Sequence, residues 1–431
     1  MKNLEIKVEN VTRLEGHGSI RVKVKDGQVV ESAFDIIESP RFFEVMLQGR
    51  KYSDSAPMTS RICGICAVSH TTVSLEATED AFGIVPTEQT MLLRKLIFHG
   101  EMIQSHVLHV YFLVAPDLLG VGSVIPLAST HLDVVRMALR LKKLGNDICA
   151  VVGGRHVHPI SMAVNGFTKV PAKAELSALR ERMVAARADL AATVELLKTL
   201  PLPDFTRETE YLSLKGDKEY PFIEGDLVSS DGYTFKRQDY LDHIKETVVP
   251  TCTAKHVKAK RPSYMVGALA RFNNNHELLH PAAKAVAKAL GLTAPCHNPF
   301  FISVAQLVET VHCNEDGIAI IDQLLARDIK MEPNTVVTKA GRGVGVVEAP
   351  RGILFHDYTY DADGYMQKAN CIIPTGQNIA NIDHDMNGLI PVLLNADKGE
   401  EEISKTLQIL VRAYDPCISC AVHAIEVEFV K

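Results

Sequence analysis

Two Cys-x-x-Cys pairs constrain this chain more than any other feature. Cys63/Cys66 sit in Arg61-Ile-Cys63-Gly-Ile-Cys66-Ala-Val-Ser-His70, and Cys417/Cys420 in Asp415-Pro416-Cys417-Ile-Ser-Cys420-Ala-Val-His423. Two intervening residues let both thiolates of a pair converge on one metal ion, or open a helix with both sulfurs on one side. If the pairs serve one site, the fold must join segments about 350 positions apart. A local zinc ribbon, whose pairs stand about twenty residues apart, fits poorly. Asp415 suits a helix N-cap and Pro416 a first turn. Helix N-termini favour thiolate over thiol, which readies sulfurs as ligands.

The residues leave three readings open: a structural zinc site of four thiolates, a redox-active dithiol, or a catalytic soft-metal centre. Four thiolates on one divalent ion leave a net charge of about −2. Their remaining lone pairs can bridge to a second metal, and thiolates select soft or redox-capable metals over magnesium and calcium. His70 and His423 trail the two pairs, each as a candidate ligand or as a donor to a sulfur.

Composition excludes other classes. Lysine and arginine total 46 against 52 acids, a net charge of −6, so recognition of nucleic acid or a membrane surface by a basic field is not expected. The most apolar stretch, Val107–Val124, holds His109 and Asp117 and is broken by Pro116, Gly120 and Gly122, which disfavours a membrane span. The opening MKNLEIKVEN lacks the apolar core of a secretory signal. Nine cysteines is an odd count, so a disulfide framework is not expected. Cys149, Cys252, Cys296, Cys313 and Cys371 are isolated and read as small buried hydrophobes.

The expected fold is α+β, a large mainly helical core with an N-terminal antiparallel sheet and small β insertions. Leu4–Val8, Ser19–Val24 and Val29–Ile36 alternate with the strand period, and Asp26-Gly27 marks a hairpin. Helical spacing runs through Thr87–Leu113, His131–Val152, Pro171–Leu200, Pro281–Leu290 and Phe301–Arg327, with Pro171 and Pro281 suited to first turns. Lys215–Phe235 reads as a small sheet insertion and Ala340–Tyr360 as loops and short strands. With no repeats or linkers, residues 1–431 read as one large domain, catalytic if the paired cysteines form a reactive centre. Its parts are a sheet (1–40), a helical core (83–200 and 277–330), a β insertion (215–236) and a metal-site segment (340–431).

Taken together, R-I-C-G-I-C-x-x-x-H near the start and D-P-C-x-x-C-x-x-H near the end resemble the large subunit of nickel–iron hydrogenases. Arg13-Leu-Glu15-Gly-His17, Glu348-Ala-Pro350-Arg351-Gly352 and Ile373-Pro374-Thr375-Gly-Gln-Asn378 also match the family pattern, as does Arg41-Phe-Phe-Glu44 more loosely. The matches follow family order over nearly the whole chain. The resemblance implies the large-subunit fold and reversible oxidation of hydrogen to two protons and two electrons. It implies Cys63 and Cys417 as terminal nickel ligands, and Cys66 and Cys420 as bridges from nickel to an iron carrying carbon monoxide and cyanide.

By the same resemblance Arg351 and Thr375 contact cyanide, Ile373 and Pro374 form the dry side, and Arg351 overhangs the open metal position. Asp415 is a candidate neighbour of Arg351, and His70 is expected to donate to a bridging sulfur. Glu44 and His423 match residues that hold a magnesium ion, sometimes iron. Glu15 matches the first proton acceptor beside a nickel cysteine, Cys417 here; from position alone it reads as a surface partner of Arg13. His99, His106 and His109 read as hydrogen-bonded core histidines, and His156 and His158 as facing a partner subunit.

Gln104-Ser105-His106, where the membrane-linked uptake enzymes carry an acid, and the absence of tryptophan look more like the cytoplasmic multimeric class. That implies a cytoplasmic heteromultimer and a soluble acceptor of the NAD(P), ferredoxin, deazaflavin or heterodisulfide type. No cysteines remain in a spacing suited to iron–sulfur clusters, so a cluster-bearing small subunit is implied, with further diaphorase or electron-transfer subunits and maturation proteins. Family precursors are often trimmed just beyond the residue matching His423, so Ala424–Lys431 reads as an untrimmed tail. The rivals are a non-catalytic relative of the respiratory complex I type, in which the paired cysteines are generally lost, and a binding module with structural zinc.

Overall fold

The computed structural model describes residues 3–423; the tail Ala424–Lys431 lies outside them. Strands β1 (Leu4–Val8), β2 (Gly18–Lys25) and β3 (Gln28–Ile36) form an antiparallel sheet in that order. Ile20, Val22 and Val24 alternate inward along β2, as a half-buried strand requires. Asp26 and Gly27 both take positive φ, 51° and 79°, the conformation whose twist matches a tight hairpin.

The helical core comprises α1 (Ala67–Phe82), α2 (Glu88–Val107), α3 (Leu132–Gly153), α4 (Lys173–Leu197), α5 (Ile302–Leu325), α6 (Pro374–Asn395) and α7 (Glu400–Ala413). Helix α2 lies between α3 and α5 and is buried on nearly every side. It starts at Thr87, whose hydroxyl accepts from Thr90 N (3.1 Å), and runs on into a wider π turn over Leu108–Val114.

The expected helices are present with their ends shifted by a few residues. Pro281 does open its helix, but Pro171 does not. Helix α4 begins at Lys173 on Ala172, and the Glu175 carboxylate reaches back to accept from Ala172 N at 2.8 Å. Helices α1, α6 and α7 are additions. Most residues of α1 are buried, so it carries no polar stripe for periodicity to detect.

The Lys215–Phe235 insertion belongs to a larger sheet: β4 (Glu210–Lys215), β5 (Asp226–Ser229), β6 (Tyr233–Phe235) and β7 (Tyr264–Met265), with β7 parallel to β4. Ala340–Tyr360 is not loops and short strands. It forms two nine-residue strands, β8 (Gly341–Ala349) and β9 (Gly352–Tyr360), paired along their length, with β10 (Met366–Ile372) antiparallel to β9.

The glycines that suggested loops serve close approach. A Cβ at Gly343 would stand 2.1 Å from Ala77 O, so α1 lies directly on the backbone of β8. This contact ties the helix that follows Cys66 to the hairpin that carries Arg351. One apolar cluster runs from the N-terminal sheet through the helices to all four paired cysteines. Among the described residues, no helix is long and apolar enough to cross a membrane.

Candidate metal centre

Cys66 is the N-cap of α1, and Cys417 is the N-cap of a short helix, Ile418–Ala421. The capping role expected of Asp415 therefore falls to Cys417. Asp415 stands two residues earlier in the left-handed region (φ 53°), because its carboxylate is taken by Arg351.

Two N-terminal segments hold the second pair in place. Glu15 and Cys417 form a parallel bridge, with Ile418 N donating to Glu15 O at 2.9 Å; Arg41 and His423 form another. Gly16 (φ +87°) allows the first approach, since a Cβ there would meet Ile418 Cβ at 2.5 Å. The Arg41 guanidinium donates to Ile62 O at 2.5 Å and to Ser419 O, so one side chain ties both cysteine loops together.

The four sulfurs converge. Cys63 and Cys417 lie 3.4 Å apart, Cys66 and Cys420 3.4 Å, and Cys417 and Cys420 2.8 Å, all buried and all within 4.8 Å of one another. Hydrogen bonds from Cys417, Cys420 and Cys66 hold the Cys63 thiol well below its usual range. Burial pushes Cys417 and Cys420 well up. Cys66 is pushed up to about 11: its bonds with Cys417 and Cys420 favour the thiolate, but Cys63 and burial outweigh them. Burial and close approach thus oppose ionising the sulfurs together, and a bound cation would favour it.

A narrow cavity beside the sulfurs is lined by Cys66, His70, Ala349, Arg351, Leu354, Ile373, Pro374, Thr375, Cys417 and Cys420. Arg351 donates through Nε to Asp415 O (2.6 Å) and through Nη2 to the Asp415 carboxylate (2.9 Å), while its buried Nη1 has no partner. Burial disfavours its charge, but Asp415 and the cysteine sulfurs outweigh that and raise its pKa well above the usual value. Thr375 Oγ1 accepts from Cys417 N at 2.9 Å, which leaves its own hydrogen free to donate.

Glu15 is half-buried at the edge of the centre. Its carboxylate accepts from Cys417 Sγ (3.2 Å), Ser419 N (3.0 Å) and Ser419 Oγ (2.5 Å). Arg13 is not its partner; that guanidinium binds Leu113 O and Asp117. Glu44 and His423 meet through Oε2 and Nδ1 at 2.9 Å, both buried, and each keeps a second atom unpartnered, Glu44 Oε1 and His423 Nε2. The ring bond of His70 runs to His356 (3.3 Å) rather than to a sulfur, and burial pushes the His70 pKa down to about 3.

His99, His106 and His109 are buried and bonded to Asp316 (2.7 Å), Glu309 (2.9 Å) and Arg412 O (2.7 Å) respectively, as core histidines should be. His158 is half-buried on Ser60 O (2.8 Å), and His156 is exposed. Of the isolated cysteines, Cys149, Cys252, Cys313 and Cys371 are buried, and Cys296 is half-buried.

Two buried ionic groups near the centre escaped sequence reasoning. Arg271 donates to Ala349 O (2.9 Å) and Pro350 O (3.1 Å), just ahead of Arg351, and is clamped by Glu309 (2.6 and 2.7 Å). Burial works against the Glu309 charge, but Arg271 and His106 hold its carboxyl at about 2. Glu101, on α2, accepts from Val68 N (2.7 Å), Ser69 N (3.0 Å) and Ser69 Oγ. Glu101 is the one acid in the run from Leu96 to Val107, and that was the available signal.

Four buried cysteines, two from each end of the chain, thus form one group that could hold a metal ion. Comparison with known proteins agrees. The family model described as nickel-dependent hydrogenase matches residues 41–134 and 214–423, and a second model, described as HoxL-like, matches 5–38. The alpha subunit of sulfhydrogenase 1 from Pyrococcus furiosus is 35% identical, over 99% of this chain and 100% of the relative. The alpha subunit of sulfhydrogenase 2 from the same organism is 31% identical, over 98% and 99%. Among solved structures, an NAD+-reducing [NiFe]-hydrogenase superposes with a TM-score of 0.87 at 27% identity, covering 97% of this chain and 99% of that one. The chain belongs to the nickel-dependent hydrogenase family, whose members are oxidoreductases acting on molecular hydrogen.

Proposed function

We propose that Cys63, Cys66, Cys417 and Cys420 hold a nickel–iron centre at which this protein oxidises hydrogen to two protons and two electrons. The single observation that carries the reading is the convergence of four buried sulfurs on a cavity where Arg351 Nη1 has no protein partner. The donor set fits: thiolates suit nickel and iron, and a buried unpaired guanidinium N–H costs stability unless a ligand accepts from it. Carbon monoxide and cyanide on iron fit the same wall. Arg351 and the free Thr375 hydrogen supply donors, and Ile373 and Pro374 an apolar face. Bound there, the metals supply Lewis acidity and two-electron redox capacity.

The protein's own groups manage charge and protons. Asp415 fixes the Arg351 plane by two bonds, so the guanidinium is oriented before substrate arrives. Glu15 accepts a proton at Cys417 Sγ, within hydrogen-bond reach, and being half-buried passes it outward. Hydrophobic residues on the remaining wall exclude water. The unpartnered Glu44 Oε1 and His423 Nε2 suit one magnesium or iron ion close to the C-terminal cysteines.

Electrons leave through a cluster-bearing small subunit, consistent with relatives named as alpha subunits. The acceptor is soluble, of the NAD(P), ferredoxin, deazaflavin or heterodisulfide type, and the complex is cytoplasmic, with diaphorase-type subunits and maturation proteins as further partners. Elemental analysis with infrared spectroscopy tests this. Nickel with iron, and bands from bound carbon monoxide and cyanide, support the reading; zinc alone, or the two metals without those bands, overturns it.

A further inference from the structure

The first turn of a helix leaves backbone N–H groups without intrahelical partners, and the N-cap side chain usually accepts from the second or third of them. Helix α1 cannot use that device. Its N-cap is Cys66, which makes no capping bond with its side chain and whose sulfur lies 3.4 Å from Cys420 Sγ. The backbone of Cys66 still opens the helix, His70 N donating to Cys66 O at 3.1 Å.

The two N–H groups that a capping side chain would take, Val68 N and Ser69 N, are bound instead by Glu101 from α2 at 2.7 and 3.0 Å; the Ser69 hydroxyl donates to the same carboxylate. Glu101 is 1% exposed, and these three bonds use both its oxygens. One turn further along α2, Gln104 Nε2 donates to Ile65 O at 2.7 Å, inside the Cys63–Cys66 loop, while Lys142 of α3 donates to Gln104 Oε1 at 2.7 Å. The second half of the centre repeats the arrangement. Cys417 caps its helix without a side-chain bond, and Glu15, a carboxylate from a distant segment, accepts from Ser419 N.

We infer that Glu101 is a positioning residue for the metal centre: it caps α1 in place of Cys66, and so leaves that sulfur free and aimed at its partner cysteines. The inference rests on reading the four cysteines as ligands, but its geometry requires no particular metal. A carboxylate is needed because both oxygens must accept. Glutamine offers one acceptor and turns an N–H toward the other donor.

The test is site-resolved alkylation of the metal-free full-length chain with iodoacetamide, together with nickel content after maturation in the complex. In Glu101→Gln the first turn of α1 loosens. Cys66 should then alkylate roughly tenfold faster than in the wild-type chain, with Cys149 and Cys313 unchanged, and nickel per chain should fall by half or more. Glu101→Asp, which keeps two acceptors, should reverse part of both changes. If Glu101→Gln does not fold, Ser69→Ala removes one of the three bonds and should accelerate Cys66 alone by a few fold.

Equal acceleration at every cysteine would make Glu101 a general stability residue and overturn the inference. So would unchanged Cys66 reactivity in the folded variant. Neither alkylation result depends on hydrogen chemistry, so failure of this inference and failure of the nickel–iron reading are separable.

Discussion

Arg351 grips Asp415 at two points, its main-chain oxygen and its carboxylate, and thereby spends two of its three nitrogens on the protein. The third, Nη1, stays buried and unpaired beside the sulfurs. Lysine keeps the charge but cannot make both bonds and still present a third donor in a fixed plane. Arg351→Lys should therefore assemble its metals and lose an order of magnitude or more in turnover, because the lost interaction acts mainly in the transition state. Metal analysis paired with hydrogen-dependent dye reduction checks this; an assembled, equally fast variant would make Arg351 structural.

Cys417→Ser should abolish hydrogen activity and leave the fold. The main-chain contacts of this segment, to Thr375 Oγ1 and Glu15 O, do not involve the sulfur. A hydroxyl, by contrast, is a harder ligand and a weaker acid than a thiol. Circular dichroism should match the wild type; near-normal turnover with full nickel would refute the ligand assignment.

Glu15→Gln preserves shape but cannot carry a proton. The variant should bind both metals and hydrogen, yet lose most hydrogen–deuterium exchange and most dye-coupled oxidation. Assays belong on metal-replete protein, so that an assembly defect is not read as relay loss. Full exchange would mean that the proton leaves by another route.

Asp383 offers a pH test of the fold alone. Burial pushes its carboxyl up to about 7, against the bond from Phe34 N (2.7 Å); Asp35 adds to the rise and Arg21 opposes it. The unfolded chain releases this proton near pH 4, so the folded state holds one more proton between about pH 4 and 7. Its contribution is full at low pH and is lost as pH rises through 7. Asp383→Asn should remove that loss, flattening urea-derived stability against pH by up to about 1.4 kcal/mol per unit in this window. Identical slopes for both proteins would show that Asp383 is ionised when folded.

Much of the centre was legible in the sequence because soft-metal chemistry allows few residue types. Cysteine pairs, a trailing histidine and an arginine after Ala-Pro announce themselves. Capping and clamping residues do not. Glu101 and Arg271 act on backbone groups of segments far from them in sequence; being the lone acid in its stretch of α2 marks Glu101 as unusual without naming what it contacts. Secondary structure was legible where strand alternation was regular, as in β2, or a helical run long, as in α2 despite its burial; it failed at α1, where polar residues are buried alongside apolar ones. The glycines of β8 misled, since a strand interior that admits a helix backbone looks, residue by residue, like a loop. Asp415 misled differently: its position before a helix promised a cap, but Arg351 claimed the carboxylate first.

The separation of the two cysteine pairs has a consequence for how the molecule holds together. Any cation gripped by all four sulfurs is a clasp closing a loop of 354 residues. On the chain-entropy scale for cross-links, a closure of that length withholds about 6 kcal/mol of freedom from the unfolded chain. The segments it fastens are the Cys63–Cys66 loop ahead of α1 and the last turn of the described fold, Cys417–Ala421, which Glu15 and Arg41 also hold. Loading the centre thus also cinches the molecule, and its removal should register as loosening at the Glu15–Cys417 seam before the buried helix α2 feels anything.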